Sequence, residues 1–525
     1  MRPMNMKNLI AKTSMLVALM VALALSLAPV AHAAAPGITG NGGVATFNLT
    51  AQAAFLNQPD GSSVYSWGYG CTTGFTTTFL PTMPNQACST MQIPGPTLIV
   101  TEGNTVNVIL TNNLPAAAGN TSILFPGFAT STTGGVAGLL TQEAAPAGTV
   151  TYTFTATTPG THSYYSGTQG DLQVEMGLYG ALIVLPANVP AACNSGLHAA
   201  NVQAELAHGE SDWRLANAAY DHDKSCYDRE YLFQFSEIDL RIHREAQQQS
   251  FRTCTSCMTV ATEPYVPAYF MINGRSMPDL MDPNYAPEYP HQPYNGNPHM
   301  HPGELVLLRI IGQGRWQHPF HEHGNHVRVL ARDGNLILSS TSPNDLAGPL
   351  LFTTTTTPGM TMDGIYYWTG KGLNWDPYGH NPASGDALAK LPCTPDANGY
   401  NTGSPTAINY FEWCQDHNKP LQTTPTGDVA GSGPATLPDP NILTNGAWYG
   451  GSPFLGPDAT VRAVGSTGTT PPSGTVANSP ADEAGFAFMW HSHNEREITT
   501  NNIFPGGMMM MMLVDSREFV INESN

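Results

Sequence analysis

Charge is scarce in this sequence. Only 11% of its 525 residues are Asp, Glu, Lys or Arg, and the 20 basic residues face 39 acidic ones. A formal net charge of −19 makes nucleic acid and anionic membrane surfaces poor partners. So low a charge content also excludes coiled coils and helical bundles, which need Glu, Lys and Arg on their outer faces. Long apolar runs are equally few: beyond residue 33 none is long enough to cross a bilayer. Several catalytic signatures are missing as well. There is no G-x-S-x-G elbow, no Walker loop, no G-x-G-x-x-G after a strand and no H-E-x-x-H helix.

What the chain does hold is turn formers and aromatics. It has 52 Gly and 43 Pro, with 41% hydrophobic residues that include 8 Trp, 20 Tyr and 19 Phe. That composition supports packed cores and excludes general disorder, so the expectation is a turn-rich, all-β protein of more than one domain. Residues 1–33 form a separate unit. Arg2, Lys7 and Lys12 precede an apolar run from Met15 to Val30, and Ala31-His32-Ala33 supplies a cleavage site. The pattern is that of a secretory signal peptide. It predicts a periplasmic or secreted protein with no membrane span after cleavage, carrying 17 Lys+Arg against 39 Asp+Glu, or −22. All eight cysteines follow the leader, and an even number in an exported chain reads as disulfides. Sequence neighbours suggest Cys71–Cys88, Cys193–Cys226 and Cys393–Cys414. Cys254 and Cys257 remain as a redox pair, a metal pair or a local disulfide.

Short β runs divided by Gly, Pro and Asn extend from Gly43 to Leu185. They include Thr97–Glu102, Thr105–Thr111, Val150–Ala156 and Ala181–Leu185, and they predict a β-sandwich over residues 36–190. A mixed linker, 191–227, has a weakly helical patch around Ala199–Asn217. A second β series opens at Glu230–Glu237 and runs through Ala268–Asn273, Glu304–Ile311, His326–Ala331 and Ile365–Trp368. It closes with Phe486–His493 and Met508–Val514, giving a second domain over 228–525. Between about 339 and 483 the text is irregular and, from Thr423, rich in Gly, Pro, Thr and Ser. A stretch that long reads as an insertion or a lid.

Two histidine clusters stand out: His318-Pro319-Phe320-His321-Glu322-His323-Gly324-Asn325-His326, and His491-Ser492-His493. Residues two apart on a strand share a face, so His321 with His323, and His491 with His493, can converge from facing strands. Three or four imidazoles meeting in this way suit copper, and zinc would also fit. His318 and Ser492 would look to the opposite side, as would Glu322. Glu495 would continue the face of His493 and is the candidate to orient a ligand or move protons. His299-Met300-His301 is a third such pair, for which a structural role is the plainer reading. Met508–Met512 is a run of five methionines, either soft copper ligands or core fillers. Alternation along a strand would bury only half of the run.

These segments resemble the multicopper oxidases, which are built from cupredoxin domains. "PGELVLLRIIGQGRWQHPFHEHGNHVRVLARDG" looks like that family's H-P-x-H-x-H-G segment, and "FMWHSHNERE…GGM" looks like its H-C-H…G-M segment. "GGVAGLLTQEAAPAGTVTYTFTATTPGTHSYYSG…GLYGALIVLP" is similar to the region of the first-domain copper motifs. "DREYLFQFSEID" and "YFMINGRSMPD" look like the start of a further cupredoxin domain. The resemblance covers most of residues 45–337 and 484–515 and implies tandem cupredoxin-like Greek-key β-sandwiches. It implies copper as cofactor and a small-molecule substrate or external electron donor or acceptor as partner. It also implies that His318 and Met508 belong to a mononuclear blue copper site. However, Ser492 stands where that site's Cys belongs, and Glu497 stands at the spacing of its second His. The family's trinuclear cluster needs four histidine pairs, and His321, His323, His491 and His493 match two of them. The other two positions read Leu124-Phe125-Pro126-Gly127 and Tyr165-Ser166-Gly167, with His162 nearby but off register. Four-electron reduction of dioxygen by this chain alone is therefore not expected. A mononuclear or dinuclear copper site at the surviving histidines is, either in an oxidoreductase or in a non-catalytic copper-sequestering or structural protein. A second copy or a partner subunit could complete the cluster.

Overall fold

A computed structural model describes residues 35–40, 43–75, 77–371, 394–407, 409–415, 451–455, 476–477, 485–515, 517 and 519–521. The expected leader, 1–33, and much of the expected insertion lie outside the described residues. The remainder is β-rich. One five-stranded sheet runs Gly160–Tyr165, Tyr179–Leu185, Gly95–Thr101, Gly37–Thr39, Thr78–Leu80. A second runs Ser63–Cys71, Val44–Asn57, Thr105–Asn112, Thr149–Thr155, Ser131–Gly134, and the two enclose a core around Trp67, Tyr69, Val108, Tyr152, Phe154 and Tyr164. Alternation explains their orientation: in Thr149–Thr155 the residues Val150, Tyr152 and Phe154 point inward while threonines face outward.

The second sandwich pairs a sheet centred on Leu305–Gly312 and Thr361–Tyr367 with one centred on Met509–Asp515, Gly485–Ser492 and His318–Glu322. Its core holds Phe233, Phe235, Phe320, Tyr366, Phe488 and Trp490. The strand Arg229–Ile238 is buried at every position. Its Tyr231, Phe233 and Phe235 enter this core, while Leu232 packs on Ile99, Ala181 and Ile183 of the first sandwich. Hydrogen bonds cross the junction: the Thr161 amide and hydroxyl donate to Asp363 at 3.0 and 2.5 Å, and the Tyr179 hydroxyl donates to Ser236 Oγ at 2.7 Å. Each such bond removes the cost of leaving a buried polar group unpaired.

Three features depart from the sequence reading. A helix, Leu240–Ser250, follows the first strand of the second sandwich, with the Asp239 carboxylate accepting from the Arg241 amide at its N-terminus. Its Ile242 and Ala246 pack into the core of the first sandwich. The linker helix spans Gly196–Ala207 and stops well before Asn217. Thr361–Tyr367 overlaps the expected strand at Ile365–Trp368, and Thr353–Thr356 is a further strand of the body within the span that reads as irregular. Periodicity failed there because Thr-Thr-Thr-Thr carries no apolar alternation. Disulfides join Cys71 to Cys88, Cys193 to Cys226 and Cys254 to Cys257. Cys414 is also disulfide-bonded, and Cys393 lies outside the described residues.

Candidate metal centre

The strand His318–Glu322 pairs antiparallel with Gly485–Ser492, placing His321 directly across from His491. Strand parity then divides the cluster. His318, Phe320 and Glu322 turn into the sandwich, while His321 and His323 turn outward beside His491 and His493. Ring centroids lie 4.8 Å apart for His321–His323, 5.5 Å for His321–His491, 4.5 Å for His321–His493 and 5.2 Å for His323–His491. One ligand nitrogen from each of His321, His323 and His491 falls within 4.8 Å of the others. His493 is the exposed member of the group, 5.3 Å from His491 by ring centroids.

The rings are held in place by their neighbours. His491 Nδ1 donates to the Ser492 carbonyl at 2.8 Å, which leaves Nε2 with its lone pair, 3.3 Å from His323 Nε2. That separation matches the edge of a tetrahedron around an ion bound at about 2.0–2.1 Å. Thr353 Oγ1 lies 2.9 Å from His321 Nδ1. Behind the cluster, the Trp490 indole and the Tyr366 hydroxyl both donate to the His323 carbonyl, at 3.0 and 3.2 Å. Gly324 follows at φ 95°, and a Cβ there would sit 2.1 Å from the Tyr366 oxygen, so the turn requires glycine. Phe352 stands edge-on to His321 at 5.6 Å and to His326 at 4.8 Å.

Burial, and then the charge of the neighbouring imidazoles, pushes His321 down to about 4. Burial also lowers His491. Both rings are therefore neutral at pH 7, the state in which imidazole ligates a metal. The donor set fits copper or zinc: imidazole nitrogens from three rings, with no carboxylate among them.

The inward face has different chemistry. His318 is fully buried, and its Nδ1 and Nε2 donate to Glu497 Oε2 at 2.9 Å and Glu237 Oε2 at 3.1 Å. Burial opposes a charge on this ring, but the hydrogen bonds and charges of the two carboxylates outweigh it and raise its pKa to about 9. Ser492 Oγ donates to Glu497 Oε2 at 2.6 Å, Asn494 donates to Glu497 Oε1 at 2.9 Å, and the Met508 amide donates to the Glu497 carbonyl at 2.7 Å. His318, Ser492 and Glu497 thus meet, with the Met508 backbone beside them. They meet as an imidazolium between carboxylates, with both His318 nitrogens engaged and no thiolate present. Met508 is fully buried in the apolar core. Glu322 is fully buried too, and burial pushes its carboxyl up to about 8.

Glu495 lies elsewhere than the sequence implies. The strand ends at Ser492, and Glu495 opens a 3-10 helix, Glu495–Ile498, where it is exposed. His299 and His301 do not converge: His299 Nδ1 pairs with Asp515 at 2.7 Å, and His301 pairs with Glu210 at 2.7 Å. His162 lies 2.9 Å from the Thr158 carbonyl and packs on Phe128. The reading of the sequence missed Glu237, which reaches His318 from 81 residues away. It also missed Thr353, whose strand has no apolar signal.

Residues 78–189 match the family model described as multicopper oxidase. The match lies in the first sandwich and ends before the histidine-bearing one begins. No curated protein sequence matches the chain. Among solved structures, the chain is similar to the multicopper oxidase mgLAC, at 16% identity and TM-score 0.45, over 90% of this chain and 86% of that one. A blue copper oxidase from Nitrosomonas europaea aligns at 15% identity and TM-score 0.43, over 89% and 85%. A copper nitrite reductase from the same organism aligns at 18% and 0.37, over 61% and 83%.

Proposed function

With a multicopper oxidase domain at residues 78–189 as premise, we propose that this is an exported copper protein holding one copper ion at His321, His323 and His491. His493 is the nearest additional ligand. The observation that carries the reading is the meeting of three ligand nitrogens within 4.8 Å on one outward face. Copper bound there would supply one-electron chemistry between its Cu(II) and Cu(I) states. The chain's own part is to keep His321 and His491 neutral by burial, to fix the His491 tautomer through the Ser492 carbonyl, and to leave the fourth side to the exposed His493 or to a small ligand. No thiolate leads inward at this position, because it is a serine, Ser492, whose hydroxyl donates to Glu497. Electrons therefore come from a substrate or an external donor at the imidazoles themselves. Export is inferred from the leader at residues 1–33, and none of the described helices is long and apolar enough to cross a membrane.

The test is metal content and EPR of the mature protein loaded with copper in competition with zinc. The expected result is about one copper per chain, a type-2 signal and no intense blue band. His321→Ala/His323→Ala should lose that copper while remaining folded. Retention of the copper by this variant, or preferential loading with zinc, overturns the proposal. A bound copper that no donor can reduce and no acceptor reoxidise would assign the same site to sequestration instead of catalysis.

A further inference from the structure

The strands Gly485–Ser492 and Met509–Asp515 pair so that His491 faces Met509, Met489 faces Met511, and Trp490 faces Met510. Residues directly opposite share a sheet face, with Cβ atoms about 4.5–5.5 Å apart. The five-methionine run is therefore split by parity. Met508, Met510 and Met512 turn inward, are fully buried, and pack with Phe320, Phe488 and Trp490. Those three are core fillers, as adaptable thioethers often are.

Met489, Met509 and Met511 turn the other way. They occupy the outward face that carries His491, and His321 lies across from His491 on the next strand. Met509 is 6% exposed, Met489 and Met511 are half-buried, and none of the three belongs to an apolar cluster among the described residues. Packing into the core explains the inner half of the run and leaves the outer half unexplained. Together with Met489 on the paired strand, the outer half presents three uncharged, polarizable sulfurs in a block two strands wide, on the face that carries His491.

We propose that Met489, Met509 and Met511 form a thioether site for a soft monovalent metal ion, Cu(I), adjoining the imidazole site at His491. Thioether sulfur prefers Cu(I) to Cu(II), whereas imidazole accepts both. The net negative charge of the chain favours the approach of any cation. The two donor sets lie side by side on one sheet, so an ion taken up by sulfur in its reduced state is delivered next to nitrogen. The identity of the metal rests on the proposed function, but the thioether site does not require the imidazole site to be filled.

Silver(I) serves as a redox-inert probe of the same charge and softness. The full mature chain, labelled with ¹³C-methyl methionine, is titrated with Ag(I) and followed by methyl NMR. The resonances of Met489, Met509 and Met511 are expected to shift together, and to do so equally in His321→Ala/His323→Ala. Met489→Leu/Met509→Leu/Met511→Leu conserves volume. It should weaken Ag(I) binding at least about tenfold, the scale on which loss of supporting groups alone acts, while Cu(II) still binds at the imidazoles. The proposal is overturned if Ag(I) shifts none of these three methyls in the wild type, or if the triple variant binds Ag(I) as tightly as before. In the wild type, Ag(I) binding at these three methyls without any Cu(II) binding would instead count against the imidazole site alone.

Discussion

His318 and His321 stand three residues apart on one strand and finish in opposite charge states. Burial disfavours a charge on both rings. On the inward face, Glu237 and Glu497 overcome that cost and His318 is held as a cation, its pKa raised to about 9. On the outward face, the neighbouring imidazoles add to it and His321 falls to about 4. Side-chain type and sequence neighbourhood are nearly the same. What differs is what the facing strands bring: carboxylates on one side, more imidazoles on the other. One face has become a structural ion cluster, and the other retains the neutral ligands a metal needs.

That contrast can be broken most forcefully at His318. His318→Leu would leave Glu237 and Glu497 buried without their counter-charge, and about 3–5 kcal/mol of stability should be lost in urea unfolding. His493→Ala, on the exposed edge of the other face, should change stability by no more than about 0.5 kcal/mol. Acidity sharpens the comparison next. A histidine with a raised folded pKa gives stability that is complete below its unfolded value, about 6.5, and fades as pH rises through the folded one. With a folded value of about 9 for His318, the contribution is about 3 kcal/mol. The stability gap between wild type and His318→Gln should accordingly close between pH 6.5 and 9; a constant gap over that range would mean that His318 is not the cation described.

The outward face should respond to metal instead. Copper at a hundredfold excess over its dissociation constant should raise the unfolding free energy by about 2.7 kcal/mol, and His321→Ala should abolish the rise. Ser492→Cys removes a hydrogen bond to Glu497 and should cost about 1 kcal/mol. It should give no intense blue absorption with copper, because Glu237 and Glu497 still occupy both nitrogens of His318. The smallest effect belongs to Glu495. Being exposed beyond the strand end, its change to Gln should leave copper affinity unchanged and stability within about 0.5 kcal/mol. A clear loss of turnover in Glu495→Gln would restore it as a proton-handling group.

Much of this was legible in the chain itself. The period-2 alternation in Thr149–Thr155, and the H-x-H pairs at 321/323 and 491/493, needed only the geometry of a strand to be placed on common faces. The substitutions of Ser492 and Glu497 already told against a blue site. The partner of His318 was not legible, because Glu237 comes from a strand that only tertiary pairing brings near. Thr353–Thr356 was invisible to hydrophobic periodicity. Glu495 was misplaced because continuing a strand past Ser492 assumes that nothing ends it, whereas the Asn494 side chain accepts from the Arg496 amide and starts a 3-10 turn. Leu240–Ser250 was overlooked although its sequence, LRIHREAQQQS, is rich in helix formers and follows a capping aspartate.

That helix has a consequence for the molecule as a whole. It grows from a strand of the second sandwich, yet Ile242 and Ala246 fill the core of the first, and His243 lies 2.6 Å from the Tyr65 carbonyl. A cut anywhere between residues 190 and 228 would give an amino-terminal half with a gap in its interior and a carboxy-terminal half with a stranded apolar helix. The two sandwiches are thus not modules to be shuffled or inherited separately. The second carries part of the first's interior, so whatever selection does to the histidine-bearing half, it must spare that helix.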